Sequence, residues 1–155
     1  EQVQTCELSN LADLDTGSAT VRDTIAGFLR HLRELGVAGF RIDAAKHMAA
    51  GDVQAIVDLL REDTVIMSEV IRGSGWEPVQ PEEYTGTGKV FEFQYARDLG
   101  PGLKAGVITD PALGAGPASA RPLPVPSADA VVFVDNHDTE RNGHAQQARR
   151  SHAVL

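Results

Sequence analysis

Cysteine is nearly absent from this sequence, whose 155 residues include only Cys6. A disulfide bond within the chain is therefore impossible, and a zinc site built from several thiolates is excluded as well. A lone cysteine is usually a small buried hydrophobic residue, which is the interpretation favoured here. The alternative is a thiol whose disulfide partner lies outside the chain.

Positive charge and long hydrophobic runs are also scarce. The chain has 14 lysine and arginine residues against 22 aspartate and glutamate residues, which gives a formal net charge of −8. A surface of this sign repels phosphate, so we expect no nucleic-acid partner and no anionic-membrane partner. The longest apolar run has about five residues, far fewer than the roughly 20 that cross a bilayer.

The composition is otherwise that of a globular domain. Hydrophobic residues make up 42% and charged residues 23% of the chain, which excludes a disordered or collagen-like protein. The chain begins at Glu1, without a methionine or a signal segment. This start predicts that an upstream segment was removed or that the chain is a piece of a longer one.

Helical and extended patterns alternate along the chain. The spacing of apolar residues predicts an amphipathic helix over 18–35, ended by Gly36, and a second helix over 52–62. Short apolar and β-branched runs predict four strands, at residues 37–43, 64–70, 89–95 and 131–135. This alternation is typical of βαβ units, and it predicts an α/β fold with a parallel sheet. Residues 101–128, rich in proline, glycine and alanine, are expected to form an irregular connector.

Three acidic residues, Asp43, Glu69 and Asp138, follow or end predicted strands. The carboxyl ends of parallel strands share one edge of a sheet, where α/β proteins build their sites. We therefore expect the three carboxylates to converge, although any one of them alone could be an ordinary helix cap.

Arg41 stands two residues before Asp43, so both side chains project from one face of the predicted strand. We expect this pair to be buried on the enclosed side of the sheet, where the cation favours the ionised form of Asp43. Glu69 lies among apolar residues. An ionised carboxylate beside a carboxyl group in apolar surroundings is the arrangement that glycoside hydrolysis uses.

Four segments together resemble the signature regions of the alpha-amylase family. They are Leu-Ala-Asp-Leu-Asp at 11–15, Gly-Phe-Arg-Ile-Asp-Ala-Ala-Lys-His at 39–47, Ser-Glu-Val at 68–70 and Phe-Val-Asp-Asn-His-Asp at 133–138. The Lys46-His47 variant is similar to the animal and actinomycete members.

The resemblance implies a (β/α)₈ TIM barrel, which needs roughly 250 residues. This chain would then be an internal fragment of the catalytic domain holding about strands 4 to 7. Residues 1–17 would end an inserted calcium-binding subdomain, and we expect the isolated fragment to be inactive.

The resemblance also implies residue roles. Asp43 would be the nucleophile, Glu69 the general acid and base, and Asp138 a stabiliser of the transition state. Four further residues would bind substrate, namely Arg41, Lys46, His47 and His137.

Two ion sites follow from the same resemblance. Calcium would be bound by the Asp13 carboxylate and by the main-chain carbonyls of Gln4 and His47. Some members bind chloride, and Arg41 and Asn136 match two ligands of that site.

The implied function is retaining endo-hydrolysis of α-1,4-glucosidic bonds in starch, glycogen and related α-glucans, by a secreted protein that is monomeric at full length. The alternatives are another α-glucan hydrolase or a transglycosylase of the family, a non-catalytic relative, and an unrelated α/β binding protein. Trp76 and Tyr84 follow Glu69 and can stack on sugar rings, but packing in the core or a loop is favoured for each.

Overall fold

The computed structural model describes residues 2–7, 10–97 and 123–141. Two units of the chain are distinguished, the first unit (residues 1–91) and the second unit (residues 92–155). Among the helices of the described residues, none combines the length and the apolar character that crossing a bilayer requires.

The first unit begins with a short helix and a long one. Helix α1 spans Gln2–Thr5 and helix α2 spans Ala19–Glu34, close to the predicted range. Apolar side chains recur along α2 at helical spacing, and Ala26 on that face is fully buried. Gly36 adopts a φ of 98°, and the Val37 N–H donates to the Leu32 carbonyl at 3.1 Å, so glycine ends the helix as predicted.

Cys6, just beyond α1, is exposed and carries a free thiol. The expectation of a buried cysteine is therefore wrong, because Cys6 follows a four-residue helix whose end is not covered by the core.

Three parallel strands form the sheet of the first unit. They are β1 (Gly39–Ile42), β2 (Val65–Ser68) and β3 (Lys89–Phe91), in the order β1-β2-β3. Helix α3 (Ala50–Val57) lies between β1 and β2 in the chain. The prediction of a parallel α/β arrangement is confirmed, and each strand is shorter than its predicted range.

Gly88 allows β3 to lie close beside β2. A Cβ atom at residue 88 would stand 2.6 Å from the Ile66 carbonyl oxygen, and the φ of Gly88 is 145°. A side chain at this position would therefore clash with β2 as well as strain the backbone.

The core of the first unit lies on one side of the sheet, between α3 and two 3₁₀ helices. These short helices span Ala45–His47 and Pro81–Thr87. The buried cluster consists of Ala45, Val53, Val70, Val79, Tyr84 and Val90. Burial of these side chains anchors the segments that follow β1 and β2.

The second unit holds α4 (residues 93–97), β4 (Ala130–Val131) and α5 (His137–Arg141). The strand predicted over 89–95 is wrong in its second half, because a helix begins at residue 93. The buried Glu92 carboxylate accepts a hydrogen bond from the Gln94 N–H at 2.9 Å, as an N-cap does, and so starts α4.

The same carboxylate accepts a hydrogen bond from the Val125 N–H at 3.1 Å. Most of the connector predicted over 101–128 lies outside the described residues.

Candidate active site

Strand pairing sets two predicted catalytic acids side by side. The parallel register places Ile42 beside Ser68, and each of these residues is the last of its strand. Asp43 and Glu69 follow directly, and the Glu69 N–H donates to the Ile42 carbonyl at 2.9 Å. The two acids therefore leave the sheet together at its carboxyl edge.

The Arg41 guanidinium joins these two acids. Its Nη1 donates to Asp43 Oδ1, and its Nη2 donates to Glu69 Oε1 at 2.6 Å. The second oxygen of Glu69 accepts the Ala44 N–H at 3.0 Å. Arg41 also lies 5.8 Å from the centroid of the Phe91 ring, within range of a cation–π interaction.

Electrostatics keep this guanidinium charged. Partial burial by itself would lower the pKa of Arg41, but the hydrogen bond that Arg41 donates to Asp43 and the negative charges of Glu69 and Asp43 outweigh it, so the pKa is raised. Arg41 is therefore a permanent cation that holds two carboxylates at fixed positions.

Exposure distinguishes the two acids. The Glu69 side chain is 8% exposed, whereas that of Asp43 is 71% exposed. The expectation of a buried Arg41–Asp43 pair is therefore wrong for Asp43. The reason is local, since Asp43 lies one residue beyond β1 and Ala44 turns the chain in a left-handed conformation with a φ of 46°. An incoming ligand can thus reach Asp43, while Glu69 is shielded from solvent and paired with Arg41 and the Ala44 N–H.

The next residues of the same turn contact other segments. Lys46 Nζ donates to the Ile71 carbonyl at 3.2 Å and to Glu77 Oε2 at 2.5 Å. The hydrogen bond from Lys46 to Glu77 is the main cause of the lowered pKa of Glu77. His47 Nδ1 lies 3.0 Å from the Val3 carbonyl. Sequence reasoning missed Glu77, because nothing in the local pattern links an acid in a glycine-rich loop to a lysine 31 positions earlier.

The donor atoms predicted for calcium are all oxygens, the type of ligand that this ion prefers. The segments carrying Gln4 and His47 pack against each other, since α1 contacts the 3₁₀ helix Ala45–His47. The Asp13 side chain is exposed. No group of three or more histidine, cysteine or acidic side chains gathers within the described residues. A site with one carboxylate and two carbonyls is compatible with that finding.

The second unit holds the remaining predicted residues. Asn136 caps α5, because its Oδ1 accepts the N–H groups of Asp138 at 3.1 Å and Thr139 at 2.9 Å. His137 Nε2 lies 3.5 Å from Asp138 Oδ2. The structure thus brings Arg41, Asp43 and Glu69 together in the first unit, and Asn136, His137 and Asp138 together in the second.

The two aromatic candidates differ in their surroundings. Tyr84 is fully buried, its hydroxyl donates to the Met48 carbonyl at 2.6 Å, and it accepts from Gln4 Nε2 at 3.2 Å. Packing is therefore confirmed for Tyr84. Trp76 is 84% exposed, so the packing interpretation is wrong for this residue. The loop that carries Trp76 turns the indole away from the core.

No family model matches the chain. Curated relatives include an alpha-amylase from Streptomyces violaceus, 51% identical over 142 residues that cover 91% of this chain and 24% of the relative. Alpha-amylase 1B from Homo sapiens is 42% identical over 159 residues, which cover 92% of this chain and 29% of the human protein. The chain therefore spans about a quarter to a third of the length of the relatives it matches.

The fold has solved counterparts. Wild-type alpha-amylase I from Eisenia fetida matches with a TM-score of 0.75 at 37% identity, over 90% of this chain and 30% of that one. A variant of the same enzyme, solved as a maltohexaose complex, matches with a TM-score of 0.75 at 36% identity.

Proposed function

Because this chain is homologous to alpha-amylases along about nine-tenths of its length, we propose that its protein hydrolyses internal α-1,4-glucosidic bonds of starch, glycogen and related α-glucans. The observation that carries the proposal is the pair of carboxylates, Asp43 and Glu69, held by one guanidinium at the carboxyl edge of a parallel sheet. The maltohexaose complex of the Eisenia fetida variant supports an α-1,4-linked glucan as the substrate class.

The proposed chemistry uses the difference between the two acids. The exposed Asp43 carboxylate attacks the anomeric carbon while Glu69 gives its proton to the departing glycosidic oxygen, so the carbon–oxygen bond breaks. Glu69 then takes a proton from water, and that water releases the sugar from Asp43 with retention of configuration. This route requires a separation of about 5–5.5 Å between the two carboxyl groups. Arg41 touches both acids and acts as their positioning residue.

The other predicted roles belong to the same proposal. Asp138 stabilises the oxocarbenium-like transition state and His137 binds the sugar at the cleavage point. Lys46 and His47 contact glucose units on the leaving side. The strands then correspond to about strands 4 to 7 of a (β/α)₈ barrel, in agreement with the parallel sheet of the first unit.

Ion binding is proposed for the elements around α1. The Asp13 carboxylate and the carbonyls of Gln4 and His47 would hold calcium, which joins segments that are distant in the chain and so rigidifies the turn after β1. A chloride site would use Arg41 and Asn136. We further propose a secreted protein that is monomeric at full length.

The test is a chimera in which this chain replaces the matching segment of the Streptomyces violaceus alpha-amylase. We expect the chimera to release reducing ends from starch and to form α-anomeric products, followed by NMR. The matched control is Asp43→Asn, which removes the nucleophile but keeps the size of the side chain. A chimera that unfolds cooperatively yet releases no reducing ends would contradict hydrolysis, and products longer than the substrate would indicate a transglycosylase.

A further inference from the structure

Trp76 is the chain's one tryptophan, and its side chain is 84% exposed. It lies in the segment of residues 69–80, called the Glu69 loop because it begins at that acid. A large aromatic side chain is stabilised when it is buried, so leaving one in water forgoes that stabilisation. At the edge of a site, an exposed indole is available to a ligand that can cover the ring.

The exposed position is built by the hydrogen bonds of the loop. The Glu77 N–H donates to the Ser74 carbonyl at 2.9 Å, and the Ser74 N–H donates to Glu77 Oε1 at 3.2 Å. Gln80 Nε2 closes the turn from the other side by donating to the Glu77 carbonyl at 2.8 Å. Trp76 thus stands in a turn held by these hydrogen bonds, and its side chain is exposed to solvent.

Gly73 is part of the same construction. A Cβ atom at residue 73 would lie 1.9 Å from Glu77 Oε1, so a side chain there would displace that carboxylate from its present position. The carboxylate is held from the far side by Lys46 Nζ at 2.5 Å. The turn that presents Trp76 is therefore locked to the segment that follows Asp43.

The position of Trp76 in the fold indicates which ligand it contacts. Lys46 stands three residues beyond Asp43, and the Glu69 loop starts at the acid that shares Arg41 with Asp43. Trp76 consequently lies at the same carboxyl edge of the sheet as both acids. A glucan chain lying across Asp43 would extend past the Lys46–Glu77 pair toward the indole.

We propose that Trp76 is a stacking platform for one glucosyl ring of the α-glucan, on the far side of the Lys46–Glu77 pair from Asp43. A glucose ring offers a face of C–H bonds to the indole, while its hydroxyl groups meet the neighbouring charged side chains. The inference rests on the proposed function, and it adds a contact that sets the preferred length of the substrate.

The experiment measures binding apart from cleavage. In the chimera, Glu69→Gln slows hydrolysis, so maltohexaose and maltotriose affinities can be determined by calorimetry. Adding Trp76→Ala should weaken maltohexaose binding about five- to tenfold and maltotriose binding much less, whereas Trp76→Phe should keep most of the affinity. Leu35→Ala removes another exposed apolar side chain, 70% exposed and at the end of α2, and should change neither affinity.

The outcomes separate the two proposals. If the chimera cleaves starch but Trp76→Ala binds maltohexaose as tightly as its parent, the stacking proposal falls and the proposed function stands. If maltohexaose binding depends on Trp76 but the chimera with Glu69 intact cleaves nothing, the proposed function falls and the stacking contact stands. If the folded chimera, with Trp76 present, neither binds maltohexaose nor cleaves starch, both proposals are overturned.

Discussion

Helix α2 and the Glu69 loop are held in place in opposite ways. In α2, apolar residues recur every three or four positions, and the hydrogen bonds join residues four apart. In the Glu69 loop no periodicity exists, and the decisive contacts are Arg41 with Glu69, 28 positions apart, and Lys46 with Glu77, 31 positions apart. Helix α2 is therefore specified by its own residues, whereas the loop depends on segments that fold elsewhere in the chain.

This difference predicts that substitutions have larger effects in the Glu69 loop than on the exposed side of α2. A polar residue on the exposed side of α2 has few contacts to lose, so its replacement should be nearly neutral. Each acid of the Glu69 loop has a charged partner on the segment of β1 and the turn after it. Replacing either acid should therefore affect both the reaction with the substrate and the free energy of unfolding of the first unit.

The largest effect is expected for the acid at the start of the loop. Glu69→Gln in the chimera should slow starch hydrolysis by about 10²–10⁴-fold, because the variant has no proton to give to the leaving oxygen. A substrate with an acidic leaving group should be partly spared in its first step, whereas Asp43→Asn should spare neither substrate. Reducing-end and chromogenic assays measure these rates.

The matched control for this comparison is Glu34→Gln, an exposed acid in α2. Its rates should equal those of the parent chimera. Equal losses on both substrates for the Glu69 and Asp43 variants would contradict the assignment of their roles.

A smaller effect is expected for the stability of the first unit when the shared cation is removed. Arg41→Met leaves the nearly buried Glu69 carboxylate without its partner, which should cost about 1–3 kcal/mol in the free energy of unfolding, less than for a fully buried pair because the Arg41 side chain is 31% exposed. Urea unfolding measures the change. Arg30→Met in α2 removes one hydrogen bond to the Leu59 carbonyl and should cost about 0.5 kcal/mol or less. Equal losses of unfolding free energy for the two variants would contradict the predicted difference between Arg41 and Arg30.

Tyr84 lies in the core of the first unit, in the 3₁₀ helix that follows the Glu69 loop. Tyr84→Phe removes the hydrogen bond to the Met48 carbonyl and should cost about 1 kcal/mol at neutral pH. Burial raises the pKa of Tyr84 above its ordinary value of 10.0. Since the unfolded state then ionises first, the stabilisation is complete below pH 10 and is lost as the pH rises through the folded pKa.

Tyr84→Phe should therefore lack this alkaline loss of stability. Urea unfolding at pH 7, 9 and 11 measures the effect, with Tyr95→Phe as the control. If both variants lose stability with rising pH in parallel with the unsubstituted chain, Tyr84 is not the group responsible.

The smallest effect is expected at acid pH. The hydrogen bond from Lys46 lowers the pKa of Glu77 below its ordinary value of 4.5. The resulting stabilisation is present above pH 4.5 and is lost as the pH falls through the lower folded pKa. Glu77→Gln should thus be less stable than the parent at pH 7, and the difference should shrink toward pH 3. A difference that stays constant across this range would mean that the charge of Glu77 has no part in it.

Sequence reasoning predicted the elements better than the contacts between them. Helix α2 and the parallel α/β arrangement were predictable, because amphipathic spacing and strand alternation are local properties of the chain. The end of β3 was not, since Glu92 starts a helix through hydrogen bonds to Gln94 and to Val125, a residue 33 positions away. A buried acid that caps a helix carries no periodic signal.

The sequence by itself determined which residues stand at strand ends, and hence that Asp43 and Glu69 would meet at one edge. The reason is that parallel pairing turns strand ends into neighbours whatever lies between them. Only the tertiary structure decided that Arg41 holds both acids, that Asp43 is exposed while Glu69 is not, and that Trp76 faces outward. Those properties depend on distances between segments that are far apart in the chain, and no local pattern encodes such distances.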